Sequence, residues 1–158
     1  MRRVLIPALA AALLAAGGAR AAGGGSDDSI GRGAKPADPA IEAIQAAVAK
    51  SDWARARVLA RESVEKDPQN ADYHNLYAYA LRRGDKPEMD LVFRHYNEAL
   101  RLDPRHRGAH EYLGEAYLQT GNLARAKEEL RALDDLCFFP CKEYATLKQA
   151  IADFEAKR

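Results

Sequence analysis

The sequence predicts an all-α fold, an α-solenoid of about three helix hairpins followed by a C-terminal capping helix. From residue 39 onward, apolar residues recur at helical spacing, and no segment alternates with the period of two typical of strands. The chain also resembles itself, because two Asp-Pro pairs place Pro68 and Pro104 36 residues apart. A period in this range indicates stacked supersecondary units.

The first 21 residues have the pattern of a bacterial signal peptide. Arg2 and Arg3 precede an apolar stretch over 4–16, which is too short to span a bilayer as a helix. Residues 19–21 then fit a small-x-small cleavage site. An uncleaved membrane anchor is the alternative. We expect an exported, periplasmic protein with no membrane insertion after cleavage.

The charge balance argues against nucleic acid and anionic membrane surfaces as partners. The chain has 24 basic and 23 acidic residues, a formal charge of +1. Removing residues 1–21 takes away three arginines and leaves 21 basic residues against 23 acidic, a charge of −2. A near-neutral chain lacks the basic patch that such partners select.

A linker and seven helices are expected after the signal segment. Residues 22–37 are rich in Gly, Asp and Pro, so we predict a flexible linker. Residues 38–136 form the repeat array, and residues 137–158 form a joint and the capping helix. That last helix has one apolar stripe and a charged remainder, as a terminal cap requires. The predicted helices are 39–50, 52–66, 71–83, 87–102, 106–120, 122–136 and 141–156.

Small, aromatic, turn and packing residues in the second half of the chain follow a family pattern. They are Gly114, Tyr117, Gly121, Asn122, Ala126 and Leu133. With them the chain resembles the tetratricopeptide-repeat (TPR) family, in its exported bacterial type, over roughly residues 39–136. The third repeat, 107–136, is the clear match, and the first is degenerate. The chain departs from the family pattern at two points. The second repeat is two residues longer than the 34-residue period, with the excess at 84–87. In addition, His74 and His110 replace the usual tryptophan.

The residues of the third repeat also have a physical role in that arrangement. Gly114 on one helix and Ala126 on the next allow two backbones to approach closely. Gly121 ends the first helix and Asn122 caps the second. Each hairpin leaves an apolar face that only a neighbouring hairpin can cover, so about three repeats are needed.

The resemblance implies a binding surface, because the first helix of each TPR pair lines the concave face. Tyr79 and Arg83 are of the residue types enriched at binding hot spots. Two arginines, Arg82 and Arg83, are expected beside two glutamates, Glu111 and Glu115. This arrangement indicates a ligand with both charges, such as an extended peptide or a partner helix. The alternative is an ordinary solvated helix face. Carried over by position, the groove residues are Asn75, Tyr79, Arg82, Arg83, Glu111, Glu115, Leu118 and Gln119.

The only two cysteines are Cys137 and Cys141, spaced C-x-x-x-C. In an exported protein such a pair usually forms a disulfide, which here would fix the angle of the capping helix. A soft-metal site, a redox pair and two free thiols stay open as alternatives. Phe138 and Phe139 lie between the cysteines, and we expect them to pack under the joint.

Other constellations give no catalytic signal. His106 and His110 have the i, i+4 spacing that can hold zinc, although a core or interface role is the simpler interpretation. His74 and His95 complete no recognisable ligand set. The sequence has no Ser-His-Asp order, nucleotide loop or phosphate cradle, so we predict no enzyme activity and no cofactor.

The sequence therefore predicts a periplasmic TPR adaptor that binds a protein or peptide segment in its concave groove. The alternative function, from another class, is a metal-handling accessory protein with Cys137 and Cys141 as ligands.

Overall fold

The computed structural model describes residues 37–139 and 141–157. Within them the chain forms seven α-helices and no strand, which confirms the predicted all-α solenoid. The predicted signal peptide and almost all of the predicted linker lie outside the described residues. The helices are α1 (Pro39–Ala49), α2 (Trp53–Lys66), α3 (Ala71–Arg83), α4 (Met89–Leu102), α5 (Arg107–Gln119), α6 (Leu123–Leu136) and α7 (Lys142–Ala156).

Short polar side chains set the helix starts. Asp38 accepts hydrogen bonds from the first turn of α1, and Asn70 does the same for α3. Asn122 caps α6 through the N–H of Arg125, as predicted. Gly121, at φ +80°, ends the preceding turn in the left-handed region that favours glycine. Gly121 and Asn122 thus form a tight turn between α5 and α6.

The helices stack in chain order, and the first helices of successive pairs also contact one another. The α1, α3, α5 and α7 helices contact in series along one face. Fully buried alanines, including Ala60, Ala78 and Ala116, let the helix backbones approach closely in the first core cluster. A second cluster around Leu133 and Leu147 joins α5 and α6 to the capping helix α7. None of the described helices has the length and apolar character needed to cross a membrane.

The capping helix takes the place that the first helix of a further repeat would occupy. Leu147 on α7 is completely buried. It lies directly against Gly114 of α5, where even one added methyl group would come within 3 Å of the leucine side chain. Lys142, the first residue of α7, follows Gly108 by 34 residues, which is one repeat period. The cap thus extends the face that carries the candidate site.

Candidate functional site

A groove lies on the face where α1, α3, α5 and α7 meet. Its cavity has a volume of about 230 Å³. Sequence reasoning predicted two of its residues, Asn75 and Glu111, and missed the rest. The 34-residue step from Gly108 to Lys142 was the signal that could have extended the site onto α7. The cavity is lined by Ile41, Gln45, Asp72, Asn75, Leu76, Gly108, Glu111, Tyr112, Lys142 and Glu143.

Asn75 gives the groove a buried acceptor with no partner. Its side chain is 6% exposed, and Oδ1 has no hydrogen bond. Nearly all buried polar atoms in proteins are hydrogen-bonded, because leaving one unpaired forfeits its hydration without compensation. An orphaned acceptor in the wall of a cavity is therefore the kind of atom that a bound molecule would satisfy.

Glu111 is a buried carboxyl on the neighbouring helix. It is 7% exposed. Burial first, and then the nearby charges of Glu115 and Glu143, raise the pKa of Glu111 to about 7, against the smaller opposing effects of Lys142 and Arg82. The groove thus holds a carboxyl that changes charge near neutral pH.

Asp72, at the groove edge, already has a hydrogen-bond partner in His106. The Nε2 atom of His106 lies 3.1 Å from Asp72 Oδ1, and the Nδ1 atom of His106 accepts a hydrogen bond from the N–H of Ala109. Because Nδ1 accepts, Nε2 carries the proton and donates it to Asp72. This contact ties the start of α5 to the start of α3 and fixes that end of the groove.

A ladder of aromatic rings and arginines runs beside the groove on α2, α3 and α5. The guanidinium of Arg83 lies 5.2 Å from the Trp53 ring centroid and 6.0 Å from that of Tyr79. Arg82 follows, 5.7 Å from the Tyr79 centroid and 6.0 Å from that of Tyr112. Both are within the range of cation–π attraction. The structure brings the predicted residues Tyr79, Arg82 and Arg83 near one another, together with Trp53 and Tyr112, which the sequence analysis did not name.

Arg82 is an internal structural residue rather than an open contact point, which corrects the sequence-based placement. It is 8% exposed. Its Nη2 donates to Glu115 Oε2 at 2.5 Å, and its Nε donates to the hydroxyl of the fully buried Tyr96 at 3.4 Å. Arg82 and Glu115 satisfy each other, so the two opposite charges expected to attract a ligand largely cancel inside the fold.

The last two predicted groove residues lie elsewhere. Leu118 is 8% exposed and packs with Ala126 and Leu133 in the second core cluster, so its assignment to the groove was wrong. Gln119 is exposed and does not line this cavity. The helical period places both residues on the groove side of α5. However, α6 and α7 pack against the end of α5 and bury Leu118, whereas Gln119 stays exposed.

The cysteine joint fits one prediction and corrects another. The sulfur atoms of Cys137 and Cys141 lie 2.05 Å apart with a Cα–Cα distance of 5.8 Å, a pair compatible with a disulfide. Phe138 and Phe139 are 95% and 75% exposed, so the expectation that they pack under the joint was wrong. Their rings contact each other edge to face at 5.0 Å.

The histidines take packing roles in the described part of the chain. His110 contacts Glu129 Oε2 at 2.7 Å and the Pro104 carbonyl at 3.1 Å. His74, one repeat earlier, makes the same contact with the Pro68 carbonyl. The described residues include no cluster of three or more His, Cys, Asp or Glu side chains that could hold a metal ion. The metal-handling alternative stays a prediction, which the metal content of protein purified under reducing conditions would test.

Comparisons with known proteins agree with this architecture. Two family models, both described as tetratricopeptide repeat, match residues 41–88 and 92–152. The chain belongs to the tetratricopeptide-repeat family. A search of curated proteins found no significant match.

Solved TPR structures share the fold at low sequence identity. One is the TPR2B domain of yeast Sti1 in complex with pHsp70, with a TM-score of 0.65 and 21% identity over 75% of this chain and 95% of that one. Another is SycD, the type III secretion translocator chaperone of Yersinia enterocolitica, with a TM-score of 0.64 and 15% identity over 75% and 82% of the two chains.

Proposed function

We propose that this TPR protein is an exported, non-catalytic adaptor that binds a segment of a partner protein in the groove between α1, α3, α5 and α7. The observation that carries the proposal is the buried, unpartnered Oδ1 of Asn75, a residue that lines the cavity. A bound segment would supply the missing donor.

The two structural neighbours support a protein-binding role. The Sti1 domain is described in complex with pHsp70, and SycD is described as a translocator chaperone, so both act on other proteins. Repeat arrays of this kind present extended concave surfaces on rigid helices. A groove of about 230 Å³ is smaller than the pockets of about 300–1,000 Å³ that hold drug-sized molecules. It suits one side chain of a longer segment better than a whole small molecule.

Export to the periplasm is the second part of the proposal. It is supported by the signal-peptide pattern over 1–21 and by a cysteine pair with disulfide-compatible geometry. In that compartment the Cys137–Cys141 bridge would hold the start of α7, and with it one wall of the groove. Replacing both cysteines by serine is expected to lower the free energy of unfolding by about 2 kcal/mol, because a bridge over a short loop restricts the unfolded chain modestly.

Thiol labelling tests the cysteine state directly. Protein extracted from cells under acid quench is expected to take up a maleimide label only after reduction. Equal labelling with and without reduction would contradict the disulfide, and the serine variant is the unlabelled control.

Blocking the groove tests the adaptor function. Gln45 is an exposed residue of α1 that lines the cavity, so Gln45→Trp should fill the groove without disturbing the core. Glu62, an exposed residue of α2 outside the cavity, provides the matched control Glu62→Trp. After crosslinking in intact cells and affinity capture, we expect a partner with the wild type and with Glu62→Trp, and its loss with Gln45→Trp. Equal capture by both variants would move the interface away from the groove.

A further inference from the structure

We infer that the groove takes a lysine or arginine side chain of the partner segment, with its N–H donors directed to Asn75 Oδ1 and the Glu111 carboxyl. The inference rests on the proposed function and names the chemistry of the partner at that site. Three features of the cavity carry it: the polarity of its buried atoms, the sign of its charges and the nature of its walls.

The buried polar atoms of the cavity call for a donor. Asn75 is 94% removed from solvent and leaves Oδ1 unpaired. Glu111, on the adjacent helix, is buried nearly as deeply and lines the same cavity. Both side chains offer oxygen acceptors, so the complementary group of a ligand carries several N–H bonds. Among protein side chains, lysine and arginine carry the most donors and no acceptor.

The charges around the cavity favour a cation over an anion. Asp72, Glu111 and Glu143 line the cavity, and Lys142 is the one cation among its described lining residues. Lys142 is exposed, so its ammonium lies at the solvent edge. The nearby guanidinium of Arg82 is already bonded to Glu115. A carboxylate ligand would therefore lie close to the carboxyls of Glu111 and Glu143, and like charges at close range repel.

The cavity walls match the stem of a basic side chain. The cavity is also lined by three residues with apolar surface, Ile41 on α1, Leu76 on α3 and Tyr112 on α5. Lysine and arginine bury an apolar stem along such surfaces while the charged head reaches a polar partner. A neutral donor such as glutamine would reach Asn75 but would leave the charge of Glu111 unpaired.

Peptide selection from a random phage-displayed library tests the inference. The wild-type protein is expected to enrich peptides with lysine or arginine at one fixed position. In a synthetic copy of the best peptide, replacing that residue by norleucine keeps the stem and removes the donors. We expect this change to weaken binding by about tenfold or more, since charge-assisted hydrogen bonds contribute most to such contacts. Because only the peptide is changed in this experiment, a folding defect of the protein cannot explain a loss of binding.

Protein variants provide the second arm. Asn75→Leu removes the acceptor and is expected to fold at least as stably as the wild type, because it also removes an unpaired buried group. It should bind the selected peptide about tenfold more weakly. Gln119→Leu is the matched control, since it makes the same kind of change at an exposed position of α5 outside the cavity. It should bind like the wild type.

The pH dependence separates Glu111 from the other charges. Because the pKa of Glu111 is about 7, its ionised fraction, and with it the affinity for a basic peptide, should fall about tenfold from pH 8 to pH 6. Glu111→Gln should weaken binding at pH 8 and remove the pH dependence. A pH dependence unchanged in that variant would overturn the role of Glu111. The groups whose charges act on Glu111 are Arg82 from α3, Glu115 from α5, and Lys142 and Glu143 from α7. Asp72 and Tyr112 line the same cavity, and the two residues that α1 contributes to it, Ile41 and Gln45, carry no charge.

The outcomes separate the two levels of the proposal. Selected peptides that bind in the groove but show no preference for lysine or arginine would overturn the cation inference and leave the adaptor function standing. Selection of peptides with a free carboxylate or acidic residues would also overturn the cation inference, because the groove would then prefer an anion. If no peptide is selected and no partner is captured from cells, both the inference and the adaptor function are wrong.

Discussion

Gly114 is the point at which the capping helix comes closest to the array, and Gly114→Ala is expected to destabilise the fold. A Cβ atom at this position would lie 2.5 Å from Leu147 Cδ2 and 2.7 Å from Cδ1. Carbon atoms in contact normally stay about 3.5–4.0 Å apart. Leu147 is completely buried in the second core cluster, so its side chain has no free space into which to retreat.

The size of the effect follows from two opposing contributions. Overpacking a well-packed core costs about 1–3 kcal/mol. Alanine in place of glycine inside a helix stabilises the folded state by about 1 kcal/mol, because alanine has the higher helix propensity. We therefore expect Gly114→Ala to lower the free energy of unfolding by about 1 kcal/mol, which corresponds to a fall in Tm of about 3–5 °C for a domain of this size.

A double-mutant cycle with Leu147→Ala is the assay. Truncating Leu147 removes the clash, so in that background Gly114→Ala should become stabilising by about 1 kcal/mol. Urea unfolding followed by circular dichroism would thus give a coupling energy of about 2 kcal/mol between the two positions. If Gly114→Ala stabilised both backgrounds equally, α7 would not pack on α5 in this way and the reasoning would be refuted.

Three further predictions concern the charged interior and the cysteine joint. Burial, with help from the neighbouring charges, lowers the pKa of His95 to about 4 from an ordinary 6.5. The unfolded chain therefore binds more protons, and stability should fall by about 2 kcal/mol as pH drops from 6.5 to 4. The raised pKa of Glu111 changes stability in the opposite direction between pH 4.5 and 7. Urea unfolding is therefore measured in the Glu111→Gln background, where His95→Gln should flatten the dependence of the free energy of unfolding on pH. Arg82→Met should cost about 2 kcal/mol by thermal unfolding, because it strands a buried hydroxyl and a half-buried carboxylate; an unchanged Tm would contradict the internal ion pair. Phe138→Ser with Phe139→Ser should change unfolding stability by less than about 0.5 kcal/mol, as exposed positions do, whereas a large loss would mean that the rings pack after all.

The helical period and the repeat made the fold predictable from the sequence. Apolar spacing located each helix to within about two residues, and Gly121 with Asn122 marked a hairpin turn that the structure confirms. The 36-residue spacing of Pro68 and Pro104 predicted stacking. Each of these signals is local or repeats at a fixed spacing, so one sequence is enough to detect them.

Side-chain burial in the groove was the part that could not be predicted. The helical period gives the side of α3 and α5 that faces away from the hairpin partner, but it does not say how closely successive hairpins stack. That stacking buries Asn75, Arg82 and Glu111, which the pattern alone placed on an open face. Apolar character also failed to predict the location of Phe138, whose ring is exposed at the joint before α7.

Site-specific photocrosslinking in living cells tests the central claim most directly. A photoreactive phenylalanine analogue would replace Gln45 in the groove, and in a separate strain Glu62 on α2. The account predicts a discrete protein adduct from Gln45 and none from Glu62. Adducts from Glu62 alone, or from neither position in folded protein, would contradict binding in the groove.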